Sequence, residues 1–260
     1  MPASAVPGEV AWPTQPIPSK PPPIARDHIT GSEITTVTPE SHRYCADLFQ
    51  QLSSRGRYTP YGLELTLVFP GTLGGGTWSG GSFDPGLGYL FVNANEIGAV
   101  GRLEAQPPVS PTRYRRTSAQ GEYARFWDAN RWPCQQPPWG TLNAIDVNTG
   151  EIAWRVPLGI TEELEAKGIL HTGAPNIGGS IATAGGLVFI AATNDARFRA
   201  FDSRTGKELW STKLEASGYA TPMTYEAKSG RQYVVIAAGG GGYFSHEVSD
   251  TLAAYSLGDK

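Results

Sequence analysis

One motif occurs twice in this chain. Ala144-Ile145-Asp146-Val147-Asn148-Thr149-Gly150-Glu151-Ile152-Ala153-Trp154 is matched by Ala200-Phe201-Asp202-Ser203-Arg204-Thr205-Gly206-Lys207-Glu208-Leu209-Trp210. Ala, Asp, Thr, Gly and Trp fall at the same offsets, and a Glu recurs one place out of register. Internal repetition on this scale points to an architecture assembled from repeated units. Each copy reads as two strands around a tight turn. The Asp accepts hydrogen bonds from amides ahead of it, the Gly takes a positive φ, and strand character resumes before the Trp. A Trp packed between neighbouring sheets removes on the order of 150–250 Å² from water.

The surroundings of the repeat supply the other strands. Residues 177–183, the turn Ala184-Gly185-Gly186 and residues 187–192 read as strand, glycine-rich turn, strand. The stretch 174–214 therefore holds four short strands, the content of one propeller blade. An earlier blade spans 63–158: residues 79–85 and 89–93 open it, and 140–146 and 151–158 complete it after an insertion at 98–138 with few strand signals. A later blade, 218–257, shows three strands. Residues 1–38 are Pro-rich and read as irregular. Residues 39–57 are the helix candidate, with Thr38 or Ser41 as its cap and Pro39 in its first turn. The fold class is all-β, with about three four-stranded blades of a propeller. A β-sandwich with coincidental turns is the competing arrangement.

Composition agrees with many short strands and turns: 32 Gly, 21 Pro and only 17% charged residues. A net charge of −3 without a basic patch gives no electrostatic case for nucleic acid. No apolar run approaches the roughly 18 residues of a membrane-spanning helix. Residues 1–23 lack the apolar core of a signal peptide. Cys45 and Cys134 lie outside any CxxC, so they are either one disulfide or two inert thiols, not a zinc site. His28, His42, His171 and His246 show no metal-ligand spacing.

Chemistry is sparse. The glycine clusters Gly74-Gly75-Gly76-Thr77-Trp78, Gly178-Gly179 and Gly239-Gly240-Gly241-Gly242-Tyr243-Phe244 each sit beside a strand end. Glycine lets backbone approach a ligand closely, and Trp78, Tyr243 and Phe244 offer planar faces. The alternative is that these glycines only relieve crowding at the propeller axis. There is no phosphate-binding GxxxxGK[ST] loop. Asp84, Asp146 and Asp202 fall in turns and read as structural. His171 and His246 flank glycine-rich segments, and no residue of the chain reads as a catalytic base.

Several stretches together resemble the pyrroloquinoline-quinone-dependent dehydrogenases. Residues 173–192 look like the penultimate blade of that family, and so do 220–225 with 232–240 for the last one. Thr66-Leu67-Val68-Phe69-Pro70-Gly71 and Cys134-Gln135-Gln136-Pro137-Pro138-Trp139-Gly140 point to the glucose/quinate dehydrogenase branch, as do 6–9 and 13–16. The resemblance covers nearly the whole chain and is weakest over 98–132. It implies an eight-bladed periplasmic quinoprotein that oxidises an alcohol or sugar and passes electrons to a quinone or cytochrome. The implied cofactors are pyrroloquinoline quinone and Ca²⁺ or Mg²⁺. It also implies that the Asp base, the Lys and His near the quinone and the metal ligands belong to earlier blades. This chain then corresponds to about the last three blades, with Met1 an internal or mispredicted start and a membrane tie in the missing N-terminal part. The implied cofactor-side residues are Thr77, Trp78, Asn176, Ile177, Gly242 and Tyr243. Ile177 stands where related alcohol dehydrogenases place a stacking Trp. Gly241 replaces the His of a Gly-Gly-His-Gly run in membrane glucose dehydrogenases, which weighs against glucose as substrate. A non-catalytic propeller scaffold is the reading from another functional class.

Overall fold

The computed structural model describes residues 1–118, 124–242 and 244–257. Its strands in chain order are β1 Thr66–Val68, β2 Ser82–Asp84, β3 Tyr89–Asn95, β4 Ala99–Ala105, β5 Tyr114–Thr117, β6 Gly140–Asp146, β7 Glu151–Pro157, β8 Ser180–Ala182, β9 Leu187–Ile190, β10 Arg197–Asp202, β11 Glu208–Lys213, β12 Met223–Glu226, β13 Gln232–Gly240 and β14 Val248–Tyr255. They divide between two compact units.

The first unit comprises Met1–Ser19, Ala25–Gly75 and Glu96–Trp139. Its helix, α1, runs Pro39–Gln50, and the Thr38 side chain caps it by accepting from the Ser41 amide. The sequence pattern predicts a helix over 39–57. It stops earlier because Ser53 is drawn into strand pairing: its amide donates to the Leu65 carbonyl and its carbonyl accepts from Leu67 N. The region 98–138 also departs from expectation. It contributes β4 and β5, which join β1 in a three-stranded antiparallel sheet ordered β1-β4-β5. Residues 66–68 therefore belong to this sheet and not to a blade. The pattern was hard to read because β4 is interrupted by Gly101, Arg102 and Glu104 and is buried only at its start. The core gathers Ile29, Ile34, Leu67, Phe69, Val100 and Phe126 around Cys45 and Cys134. Those two cysteines form a disulfide, with Cα atoms 5.2 Å apart and 89 residues of sequence separation.

The second unit comprises Lys20–Ile24, Gly76–Asn95 and Gly140–Lys260. It holds three antiparallel sheets, ordered β2-β3-β6-β7, β8-β9-β10-β11 and β12-β13-β14. Phe91, Leu142, Ala144 and Leu158 pack against Val188, Ile190 and Phe201 to fill the layer between the first two sheets. Phe198 and Leu214 pack against Val234, Ile236 and Ala238 between the second and third.

The two copies of the repeat meet in space. Trp154, at the end of the first copy, donates from Nε1 to the Ser203 carbonyl in the turn of the second, at 3.0 Å. Gly206 lies under the indole with φ +71°, and a β-carbon there would fall 2.6 Å from the ring. The repeated Thr-Gly is thus both a turn and a landing place for the preceding sheet's Trp. In each copy the Trp stands opposite the repeated Ala across the outer strand pair, Ala144 with Trp154 and Ala200 with Trp210. A β-bulge follows the Ala in both copies. The repeated Asp residues serve the turns: Asp146 Oδ1 accepts from Asn148 N, and Asp202 Oδ1 accepts from Arg204 N, Thr205 N and the Thr205 hydroxyl. The Thr205 hydroxyl is the main cause that holds the Asp202 carboxyl below the ordinary aspartate value. Among the described residues Trp210 has no such landing turn. It stays 37% exposed and rests edge-on against Tyr255 and Phe198.

Three outcomes follow for stability. Trp154→Ala removes a large aromatic wedge and leaves the Ser203 carbonyl unpaired, so urea denaturation is expected to register a loss of about 3 kcal/mol. The same change at the more exposed Trp210 costs less than half as much, and equal losses would contradict the landing-turn account. A lowered carboxyl pKa adds stability above the unfolded-state value that is lost as pH falls through the folded value. Carboxyl NMR titration is accordingly expected to find Asp202 below the usual aspartate range, and Thr205→Val to move it back up. Thiol counting under non-reducing denaturation is expected to find no free thiol. Reduction should destabilise the first unit by about 2–5 kcal/mol, as loss of a native cross-link typically does.

Candidate functional site

Antiparallel pairing brings the start of each sheet's first strand beside the end of its second. In the first sheet Thr77 N donates to the Asn93 carbonyl at 3.0 Å. In the second, Ile177 N donates to the Ala192 carbonyl at 2.9 Å, and in the third Gly240 N donates to the Ser217 carbonyl at 2.9 Å. Neighbouring sheets are joined at this same end. Asn95 Nδ2 donates to the Asn176 carbonyl at 2.6 Å, and Ala192 N donates to the Gly218 carbonyl at 2.9 Å. The segments leading into β2, β8 and β12 also touch. A β-carbon on Gly179 would lie 2.6 Å from Thr221 Oγ1 and 3.3 Å from the Ser79 carbonyl. The Ser82 and Ser180 hydroxyls hydrogen bond at 2.7 Å just beyond. Three equivalent segments thus converge at one end of the unit.

The residues singled out from sequence take different roles there. Thr77 is nearly buried at 9% exposure, whereas the adjacent Trp78 is 88% exposed, with an open ring face. Asn176 is fully buried and its side chain is consumed by protein. Its Oδ1 accepts from Asn93 Nδ2, and its Nδ2 donates to the Ala94 and Ala174 carbonyls. It clasps the first two sheets together and has no group left to offer. Ile177 is half-buried beside it. Gly242 is exposed in the connection between β13 and β14, and Phe244 is buried, so its ring is not presented. Tyr243 lies outside the described residues. His171 is exposed, with φ +61°.

Three further residues matter that the sequence did not flag. Asn93 Oδ1, Ser217 Oγ and Tyr219 OH are buried polar atoms without a hydrogen-bond partner among the described residues. All three belong to the segments that meet at this end. No periodicity or motif announces them, because their significance lies in which partners the fold withholds.

The converging segments 76–81, 175–179, 217–221 and 238–242 contain no Asp, Glu, Lys, Arg or His. The nearest acid in the β9–β10 connection, Asp195, is occupied. It pairs with the buried Arg199 and accepts from Ile160 N at 3.0 Å. Among the described residues no group of three or more His, Cys, Asp or Glu is placed to hold a metal. These four segments present one exposed indole, hydroxyls, amides and close backbone, and no acidic or basic side chain.

The family model for the glucose/ethanol/alcohol dehydrogenase β-propeller domain, a PQQ domain, matches residues 1–234. The chain belongs to that PQQ-dependent dehydrogenase family. It is 40% identical to a probable quinate dehydrogenase (quinone) of Xanthomonas campestris pv. juglandis, over 95% of this chain and 34% of the relative. It is 38% identical to the quinate/shikimate dehydrogenase (quinone) of Acinetobacter baylyi, over 97% and 34%. With the quinoprotein glucose dehydrogenase of Escherichia coli it shares 34% identity, over 100% and 35%. The chain thus spans about a third of the length of these curated relatives. The three sheets of the second unit are blades of the family's β-propeller.

Pyrroloquinoline quinone, which the family implies, is a planar, polar ring system, and the converging segments would suit one wall of a site for it. Trp78 offers an exposed ring and the glycine-rich leads permit close approach, while the Ser217 and Tyr219 hydroxyls are buried without a partner among the described residues. The contrast between Trp78 and Asn176 is testable. Trp78→Ala is expected to change stability by less than about 0.5 kcal/mol, as exposed substitutions do. Asn176→Ala strips a buried amide from three partners, and chemical denaturation is expected to show a loss of about 3 kcal/mol. A large destabilisation by Trp78→Ala would make that ring structural.

Proposed function

We propose that this chain acts as the C-terminal part of a pyrroloquinoline-quinone-dependent dehydrogenase that oxidises a sugar, polyol or other alcohol and delivers electrons to a quinone or cytochrome. The observation that carries the reading is the uncharged, glycine-rich end of three adjacent blades with Trp78 open on it. Quinate- and glucose-type relatives that cover nearly the whole chain support the reaction class. Bound pyrroloquinoline quinone supplies the two-electron acceptor. Trp78 and Thr77 would line one side of it, together with Ile177 and Gly242. Asn176 keeps the first two blades in register behind them. The lead segments exclude water from that side without adding charge.

The catalytic base and the Ca²⁺ or Mg²⁺ ligands come from further polypeptide, which also supplies the remaining blades of an eight-bladed ring. The three-stranded last blade favours this, because β14 has no outer neighbour among the described strands. We place the protein in the periplasm, associated with the inner membrane through other segments. The Cys45–Cys134 disulfide suits that oxidising compartment. No helix among the described residues is long and apolar enough to cross a membrane.

The test is to add pyrroloquinoline quinone with Ca²⁺ to the purified chain and to follow tryptophan fluorescence and dye-linked oxidation of sugars, polyols and quinate. Saturable quenching that is lost in Trp78→Phe is expected, with little or no turnover because the base is absent. Robust turnover by these 260 residues would overturn the division of labour. An absence of any saturable quenching would overturn the placement of the cofactor wall.

A further inference from the structure

We propose that the tip of the β4–β5 hairpin, together with the neighbouring residues 10–12, rests on the surface of a bilayer that contains anionic phospholipid. This goes beyond the dehydrogenase reading. It adds a contact made by the first unit itself to whatever tie other segments provide.

The hairpin holds its tip out on a braced loop. The last strand pair is Ala105 with Tyr114, and Gln106 N donates to the Arg113 carbonyl at 2.9 Å just beyond it. Ser110 N donates to the Pro107 carbonyl at 2.8 Å and closes the turn at the far end. Pro107, Pro108 and Pro111 stiffen this loop, since each fixes its own φ at about −65°. Val109 lies within the turn and is 93% exposed. An apolar side chain left so fully in water makes no contribution to the packing of its own unit.

The same hairpin carries cations that the chain leaves unused. Arg113 and Arg115 are exposed, and neither side chain makes a hydrogen bond or ion pair with the described residues. Other arginines of the first unit are engaged: Arg26 with Glu96, Arg57 with Asp27 and Arg102 with Glu104. Residues 105–115 contain no Asp or Glu. Every side-chain cation of the first unit is an Arg or a His, with no Lys. A guanidinium group can hold two phosphate oxygens at once, which an ammonium group does not.

The N-terminal segment adds an aromatic residue beside the hairpin. Tyr114 Oη donates to the Pro7 carbonyl at 3.5 Å, and a β-carbon on Gly8 would fall 3.2 Å from Arg113 Nη1. The buried Val6 pins this turn. Val10 and Trp12 follow it and are 93% and 76% exposed. Glu9 is the one carboxylate in residues 7–12, and it accepts from the Ser4 hydroxyl.

This combination suits a bilayer interface. An indole sits at headgroup level, small apolar tips enter the acyl boundary, and Arg meets lipid phosphate. A soluble anion would use the arginines and leave Val10, Trp12 and Val109 in water. A second copy of the chain would set Arg113 and Arg115 against their own duplicates, which repel.

The test is co-sedimentation of the intact chain with vesicles of phosphatidylcholine and phosphatidylglycerol, against vesicles of phosphatidylcholine alone. Binding to the anionic vesicles is expected to be stronger by about tenfold or more and to weaken with salt. Val109→Asp is expected to weaken it about tenfold, and Arg113→Gln combined with Arg115→Gln about thirtyfold. Brominated acyl chains are expected to quench part of the tryptophan emission, and that part should disappear in Trp12→Phe. On the unaltered chain, hydrogen exchange across 106–113 is expected to slow when anionic vesicles are added. That measurement decides the matter even if a variant fails to fold. Equal binding to the two kinds of vesicle overturns the proposal. Full binding by Val109→Asp or by the double Arg variant does so too, as do unchanged exchange at 106–113 and a lipid-free dimer that Val109→Asp dissociates. No cofactor or turnover enters, so failure of the cofactor wall and failure of this surface are separate results.

Discussion

The Trp154 indole lying on the Gly206 turn is the contact on which the second unit depends. It fixes three quantities at once: the distance between two sheets, their relative rotation, and the height at which the second repeat's turn sits. The hydrogen bond to Ser203 sets the height, and the absent β-carbon at Gly206 sets the distance. Both participants come from the same short motif. A sequence that duplicates the motif therefore duplicates the joint as well as the sheet. The converging lead segments at the cofactor end are aligned because this joint and the Asn93–Asn95–Asn176 clasp hold the blades in step.

That contact also explains what was legible in the sequence. The repeat revealed paired strands and turns because Asp, Thr and Gly are dictated locally. It also pointed to Trp as a wedge between sheets. The glycine-rich leads into β2, β8 and β12 were visible as well, since close approach demands small residues. What escaped was non-local. β4 and β5 were read as a loop because their alternation is broken by Gly and charge, and β4 pairs with β1 across more than thirty residues of sequence. Asn176 was assigned to the cofactor side by the family resemblance, which carries no information on what its side chain bonds to. Only its three partners reveal a clasp. Ser217 and Tyr219 were invisible for the opposite reason, since an unsatisfied hydroxyl has no signature in the chain.

The first unit is held on different terms. Its sheet has three strands, its helix buries little beyond Ser41 and Cys45, and much of its chain lacks regular structure. A cross-link that closes an 89-residue separation compensates for a core of this size, because it restricts the unfolded chain independently of how much apolar surface the folded one buries. Two routes to stability therefore coexist in one polypeptide: interlocking aromatic joints in the blades and a covalent tie in the more irregular part.

The uncharged character of the converging segments has an electrostatic consequence. With no Asp, Glu, Lys, Arg or His in them, these segments keep the same field from mildly acidic to mildly alkaline conditions. A pH dependence of chemistry at this end therefore has to originate in groups outside these four segments. A wall of fixed dipoles and one aromatic ring acts as a constant background, against which proton-transferring groups elsewhere can be tuned without cross-talk.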